Sequence, residues 1–321
     1  AMSNNDINTF SDSMDNDNLG YASLVTYQYE SDSIGFAGQN WKVDNLISYE
    51  LNTEEYKQIE RFRPVEFKRN WNIQDVNNEL HLIGNRWKAS NQLTQLNYGI
   101  DYMNFQGQVN GLNQLYTVDQ TIKNVQLVLE GTYLKKVGLE NNIFNRPGML
   151  INWTMPSNGW NLYAKRYMEN NRMIEEDTLN DYSFLFIENS IGSSSPDTSR
   201  FNTSFKVRER KDYTPNLMSW DLLSQSWNFD INEKWRINQN NTVAIGFQYR
   251  DLEVYRSNTG FENDQSVLSR VEYFGRLLKR SLKTNIFYEV GSGLERKREY
   301  RFVKVQVVMV IIPGWMKTVM A

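Results

Sequence analysis

Regular alternation of apolar and polar side chains is the feature of this sequence that most constrains its fold. In residues 201–208 every odd position carries Phe, Thr or Val, and every even position carries Asn, Ser, Lys or Arg. Residues 41–51 and 243–250 follow nearly the same rule. Because successive side chains of a β-strand point to opposite faces, this period of two predicts strands with one apolar and one polar face.

Strand length and connection length together predict the fold class. Pattern matching gives roughly fifteen candidate strands, many of about 9–11 residues, which is the length that a tilted membrane-spanning strand needs. Strands of ordinary globular proteins have about 5–6 residues. The connections are too short for crossover helices, so neighbouring strands should be antiparallel. We therefore predict an all-β fold, an antiparallel meander of long amphipathic strands that forms at least part of an outer-membrane-type β-barrel.

Local signals predict where the strands end. Asn-Arg-Pro-Gly at 145–148 and Pro-Ser-Asn-Gly at 156–159 are typical of turns. Residues 170–180 are predicted to form a polar loop, and the Gly/Ser-rich residues 192–199 a flexible one. Residues 268–278 fit either a strand or a helix, and we favour a strand because both neighbouring segments are strands.

Composition excludes several classes of site. The chain has no cysteine and one histidine, His81, which excludes disulfides, thiolate metal sites and sites with several histidine ligands. The formal net charge of −3 gives no electrostatic footprint for nucleic acid. No phosphate-binding loop, dinucleotide fingerprint or nucleophile elbow is present, so no cofactor is predicted. The most apolar run, residues 307–312, is far shorter than the roughly 20 residues of a membrane-spanning helix.

Three regions differ in composition. Residues 1–20 form a polar N-terminal segment, residues 21–306 carry the amphipathic strands, and residues 307–321 form an atypical tail without alternation. When each codon of the tail is read one nucleotide earlier, permitted codon choices give GGNGNYTWMDENGNG, which matches the style of the preceding chain. We therefore hypothesise that the tail is frameshifted and that the chain is a fragment. The alternative is a genuine short apolar strand, and the coding DNA distinguishes the two.

The segment GLERKREYRFVKVQ, together with this shifted continuation, resembles large β-rich outer-membrane and cell-envelope proteins of Bacteroidetes. The resemblance is strongest over residues 285–306 and is stylistic elsewhere. It implies a location in the bacterial outer membrane or at the cell surface, and it fits a chain that lacks both natural ends. It brings no catalytic residues.

Basic residues are the main candidates for a functional surface. They lie on the strand at 201–208 and on the second arm of a hairpin predicted around 291–293. In a barrel they would line a lumen or meet lipid head groups. The alternative is a solvated sheet face on which positive charge discourages edge pairing. The candidates are Lys206, Arg208, Arg296, Lys297, Arg298 and Arg301.

Tryptophans recur near predicted strand ends and turns. This placement is compatible with packing within the sheet, with an aromatic girdle at a membrane interface, or with a platform for a sugar. The residues concerned are Trp41, Trp87, Trp153, Trp160, Trp220, Trp227 and Trp235.

Carboxylates and the histidine give weaker candidates. The acidic cluster at 175–177 and the N-terminal aspartates Asp12, Asp15 and Asp17 are interpreted as solvated loops in preference to catalytic or calcium sites. His81 is interpreted as a solvent-side strand residue.

The leading functional hypothesis is a structural or transport component of the outer membrane, without catalysis. Its partners would be outer-membrane lipid and other envelope proteins, with no nucleic acid. The alternatives are a soluble surface-exposed β-sheet module that binds glycan or protein, and an enzyme such as a glycoside hydrolase. The leading hypothesis requires Phe201, Phe205, Val243 and Phe247 to lie on the outside of a curved sheet.

Overall fold

The computed structural model describes residues 2–4, 19–36, 38–56, 63, 67–71, 73, 79–105, 109–138, 141–256, 262–277 and 281–292. This part of the chain consists of antiparallel β-strands and one short helix. No helix within it is long and apolar enough to cross a membrane.

The elements follow one another in chain order with few irregular residues between them. They are β1 (Met2–Asn4), β2 (Leu19–Phe36), β3 (Gln39–Asn52), α1 (Phe67–Trp71), β4 (Leu80–Ser90), β5 (Thr94–Phe105), β6 (Val109–Ile122), β7 (Val125–Gly138), β8 (Asn141–Thr154), β9 (Asn161–Glu175), β10 (Thr178–Leu179), β11 (Phe184–Ser194), β12 (Phe201–Asn216), β13 (Ser219–Asn238), β14 (Asn241–Val254), β15 (Asp264–Leu277) and β16 (Leu282–Ser292).

The topology is a meander. Each strand pairs antiparallel with the next along the chain, except that β9 pairs with both β11 and the two-residue strand β10. The predicted fold class, an all-β antiparallel meander of long strands, is confirmed. The strands are longer than predicted, since fourteen of those described have 11 to 20 residues.

The sheet curves around α1. Trp71 of α1 packs in a cluster with Leu80 of β4 and Phe144 of β8, and Arg69 binds Glu169 of β9. From β4 to β9 is five strand spacings, or about 24 Å, whereas a five-residue helix is only about 7.5 Å long. Long side chains of α1 supply part of this reach, and we infer that the sheet bends towards the helix, which places α1 on the concave side.

The apolar core is small and lies beneath α1. Trp71 stacks over Gly111 of β6, where an added Cβ would stand 2.9 Å from the indole ring. The side chains that share this cluster come from four strands and from α1. They are Trp71, Leu80, Met103, Phe105, Leu134 and Phe144. The core therefore anchors the β3–β4 connection and does not run the length of the sheet.

The sheet is not closed within the described residues. The two long strands at the ends of the meander, β2 and β16, have mostly exposed side chains on both faces and do not pair with each other. Beyond β2, the described part of the chain adds only the three-residue strand β1. Residues 293–321, which include the second hairpin arm and the atypical tail of the sequence prediction, lie outside the described residues. The aspartates Asp12, Asp15 and Asp17 also lie outside them. Strand β1 falls within the segment 1–20, and β2 begins at Leu19.

The turn predicted at 145–148 is wrong, because β8 runs straight through it. The ladder to β7 continues without a break, with Gly131 opposite Pro147. Pairing with β9 skips Arg146 and Pro147 and resumes at Gly148 in the same register. Proline lacks the N–H of a ladder hydrogen bond, and here the gap is confined to one side of the strand.

The loop boundaries also need correction. The loop predicted at 170–180 is a hairpin, since β9 reaches Glu175 and turns at Glu176 and Asp177, both with positive φ, as a two-residue hairpin turn requires. The loop predicted at 192–199 begins later, because β11 extends to Ser194. The turn at 156–159 and the strand at 268–277 are confirmed.

Candidate functional site

The two faces of the sheet differ in polarity. We call the face that carries α1 the inner face and the opposite face the outer face. Glu169 contacts α1 and lies opposite Phe186, which lies opposite Asp212 on β12. Alternation along β12 then places Lys206 and Arg208 on the inner face. The register extends this face to polar side chains of β13 and β14, namely Asn228, Asp230, Gln248 and Arg250.

The outer face is apolar and exposed. Phe205 lies opposite Ile231, and Ile231 lies opposite Phe247, so three strands present a continuous apolar row. These three side chains are 39 %, 45 % and 39 % exposed. Phe201 stacks on Trp235 at the end of the same face, with ring centroids 5.7 Å apart, and Val243 lies opposite Trp235. The four apolar residues that the leading hypothesis required on the outside of a curved sheet therefore lie there.

Most of the predicted tryptophans belong to the outer face. Trp87 and Trp227 are exposed there, and no side chain of the small core comes from this set. Trp71, which does belong to the core, was missed by the sequence analysis because it lies in a short charged segment without periodicity. The outer-face tryptophans assigned by register are Trp41, Trp87, Trp153, Trp227 and Trp235.

Ionic contacts hold α1 against the inner face. Arg69 donates to both carboxylate oxygens of Glu169, at 2.9 and 3.2 Å. Tyr167 donates to the same carboxylate at 2.6 Å. Arg146 donates to Asn70 at 3.0 Å. The Glu169 side chain is only 5 % exposed, and the hydrogen bonds from Arg69 and Tyr167 offset the cost of burying its charge.

Two of the six predicted basic residues lie in the part of the chain that the structure describes. Lys206 and Arg208 share the inner face, and Arg208 lies 3.7 Å from Glu188. Lys211, farther along the same strand, lies on the outer face and pairs with Glu209 at 2.9 Å. The remaining predicted basic residues lie outside the described residues. They are Arg296, Lys297, Arg298 and Arg301.

A groove of about 560 Å³ lies along the inner face of β12–β16. Its lining includes both described candidates, Lys206 and Arg208, and adds Arg250 from β14. Asn228 and Asp230 of β13 lie between them. The volume is in the range typical of small-molecule sites, and its character is cationic and polar.

A second groove, of about 590 Å³, lies over β2–β6. Arg86 makes two hydrogen bonds to the buried carboxylate of Asp101 there. Glycine at positions 84 and 99 leaves room for this pair, because an added Cβ would stand 2.8 Å from Asp101 Oδ1 and 2.7 Å from Arg86 Cδ respectively. The pair is a structural feature of the inner face that the sequence did not reveal.

His81 and the acidic cluster at 175–177 are the remaining candidates that lie within the described residues. His81 lies on the outer face, where Nδ1 is 2.8 Å from the Tyr49 hydroxyl and Nε2 is 2.9 Å from Glu79. The cluster at 175–177 is exposed at a hairpin turn. No group of three or more His, Cys, Asp or Glu side chains in the described part of the chain is placed to hold a metal ion.

Comparison with known proteins gives little further information. No family model and no curated protein matches the sequence. Among solved structures, a crystal structure of Acinetobacter baumannii OccAB4 aligns with 86 % of this chain and 92 % of its own length. The sequence identity is 11 % and the TM-score is 0.29. A likeness of that size carries no argument about fold or function.

Proposed function

We propose that this chain forms the wall of a β-barrel in the bacterial outer membrane, with a structural or transport role and no catalysis. The observation that carries the proposal is the inversion of polarity across the curved sheet. Its convex outer face is mainly apolar and exposed, with isolated polar groups such as Glu233 and His81, and its concave inner face is mainly polar. A water-soluble sheet hides its apolar face, whereas a membrane barrel turns that face to lipid.

The outer face is too extensive to be explained by scattered surface hydrophobics. Monomeric soluble proteins rarely expose contiguous apolar patches larger than a few hundred Å². Here exposed large apolar side chains lie on this face of every long strand from β2 to β16 except β9. No helix or second sheet in the described part of the chain packs on this face. The alternative, a soluble module with a closed core, would require a layer of structure that covers this face.

The polar residues that flank the apolar band of β14 are spaced to fit a membrane. On β14 the outward residues from Val243 to Tyr249 are all apolar, with Asn241 before them and Asp251 after them. The ten residue steps from Asn241 to Asp251 correspond to about 34 Å along the strand, or about 26 Å along the barrel axis at a tilt of about 40°, and the six steps from Val243 to Tyr249 correspond to about 16 Å along the axis. The apolar band of outer-membrane barrels is about 25 Å tall.

Loop lengths indicate an orientation. The turns at the end of the sheet that carries residues 37–38 have at most six residues. At the opposite end, 27 residues, 53–79, join β3 to β4 and include α1, and nine residues join β14 to β15. Outer-membrane barrels have short periplasmic turns and longer extracellular loops. We therefore place the end with residues 37–38 in the periplasm.

The experiment compares two neighbouring positions of β12. The chain has no cysteine, so Phe205→Cys and Ser204→Cys each provide a unique site for a fluorescent label. In lipid vesicles, the label at position 205 should be quenched by a quencher attached to the lipid chains and protected from aqueous iodide. The label at position 204 should behave in the opposite way. Iodide quenching of both labels to the same extent would rule out a lipid-facing outer surface and favour the soluble module.

A further inference from the structure

The register of the strands places three cations in one row across the inner face. Direct pairing links Lys165 of β9, Arg208 of β12 and Arg250 of β14 through one neutral polar residue on each intervening strand. Six consecutive neighbours thus alternate between cationic and neutral side chains, without an acidic residue among them. We call this row the cationic rung. Its members are Lys165, Ser190, Arg208, Asn228, Arg250 and Ser266.

The cations of the rung are poorly neutralised. Within the described residues, neither Lys165 nor Arg250 has an ion pair or a side-chain hydrogen bond. Arg208 has one ion pair, with Glu188 at 3.7 Å, and its Nε is buried without a hydrogen-bond partner. The neighbouring rows carry Glu188 and Asp230, which offset only part of the charge. Guanidinium groups that line a groove and are only partly neutralised, as those of Arg208 and Arg250 are, are expected to attract anions.

The spacing favours an elongated anion. Lys165 and Arg208 are two strands apart, as are Arg208 and Arg250, so successive cations are separated by about 9.6 Å at the backbone. Side chains on a concave face converge, which brings the charged groups closer than the backbone distance. Four members of the rung, including Arg208 and Arg250, line the groove of about 560 Å³.

We propose that the cationic rung is a binding site for small oligoanions with two or more negative charges, such as phosphorylated or polycarboxylate solutes. The proposal rests on the proposed function, because it places the rung on the water-filled side of a membrane barrel. Asn228 and Ser266 supply uncharged hydrogen-bonding groups between the cations, so the site can hold the neutral parts of such a solute.

The test is titration of the vesicle-reconstituted chain with tripolyphosphate, measured by calorimetry. Saturable binding is expected, and Arg250→Gln should weaken it about tenfold or more, because a charge-assisted hydrogen bond is lost. Arg250→Lys should retain most of the affinity. The matched control is Lys234→Gln, which removes one positive charge from the same face about 20 Å along β13 from Asn228 and should change little.

The outcomes separate this inference from the proposed function. Absence of saturable binding, or equal weakening by Lys234→Gln, would overturn the anion site while the label experiment on β12 still supported the membrane barrel. Failure of the label experiment would overturn the barrel whatever the titration showed. Citrate serves as a second probe. Binding of both probes supports a site for oligoanions in general, and binding of tripolyphosphate alone supports phosphorylated solutes.

Discussion

A charge placed at one position of β13 should destabilise the protein only if the outer face meets lipid. Ile231 lies between Phe205 and Phe247 on the outer face, and Phe247 is near the middle of the apolar run of β14. Arginine on the lipid face of a barrel near the bilayer midplane costs about 2–4 kcal/mol. We therefore expect Ile231→Arg to lower the free energy of unfolding by that amount, which is about a 30- to 700-fold change in the equilibrium constant.

The matched control is the next residue. Asn232 has the same depth on the same strand but lies on the inner face, between Ser204 and Gly246. Asn232→Arg should change the free energy of unfolding by about 0.5 kcal/mol or less, as is usual at a wet surface. The assay is reversible urea unfolding from vesicles, followed by tryptophan fluorescence. Losses below about 0.5 kcal/mol in both variants would show that the outer face is solvated, and the argument from polarity inversion would fail.

Three further predictions follow from the contacts of α1, of the second groove and of the strands. Trp71→Ala should release α1 without unfolding the sheet, so hydrogen exchange should rise at residues 67–71 and not in β12–β14; equal exchange in both regions would contradict this local role. Arg86→Met should destabilise the fold by about 3 kcal/mol and Asp101→Asn by only about 1 kcal/mol, because only the first leaves a buried charge unpaired; chemical unfolding that gives equal losses would contradict this asymmetry. In fractionated native cells, peptides from residues 201–250 should be recovered from detergent extracts of carbonate-washed outer membrane, and their recovery in the soluble fraction would contradict the membrane location.

Alternation in the sequence is sufficient to predict the faces of most strands. It assigns Phe205 and Lys206 to opposite faces, because a period of two leaves no other arrangement in an extended chain. The sequence prediction fails at Pro147, where the local signal favours a turn. The strand continues there because β8 stays paired with β7, and only its pairing with β9 is interrupted. The sequence of one segment does not show which strands pair with it, so this continuation of β8 could not be predicted.

The site is less predictable than the fold. Lys165 and Arg250 lie 85 positions apart in sequence, and only the register of the intervening strands brings them into one row. The anchoring of α1 also escapes prediction, because its segment is short and charged and its partners, such as Glu169, lie on distant strands. Local sequence patterns indicate which face of its own strand a side chain occupies. They do not determine which side chains of distant segments become neighbours.

The position of α1 has a consequence for the order in which this protein folds. Nearly all other pairing joins strands that follow one another along the chain, so each hairpin can form once its own residues are available. The contact between Arg69 and Glu169 spans 100 residues, and that between Asn70 and Arg146 spans 76. Such long loops close late and slowly. Docking of α1 therefore requires that the strands up to β9 have already assembled in the correct register, so it reports on the completion of the first half of the sheet.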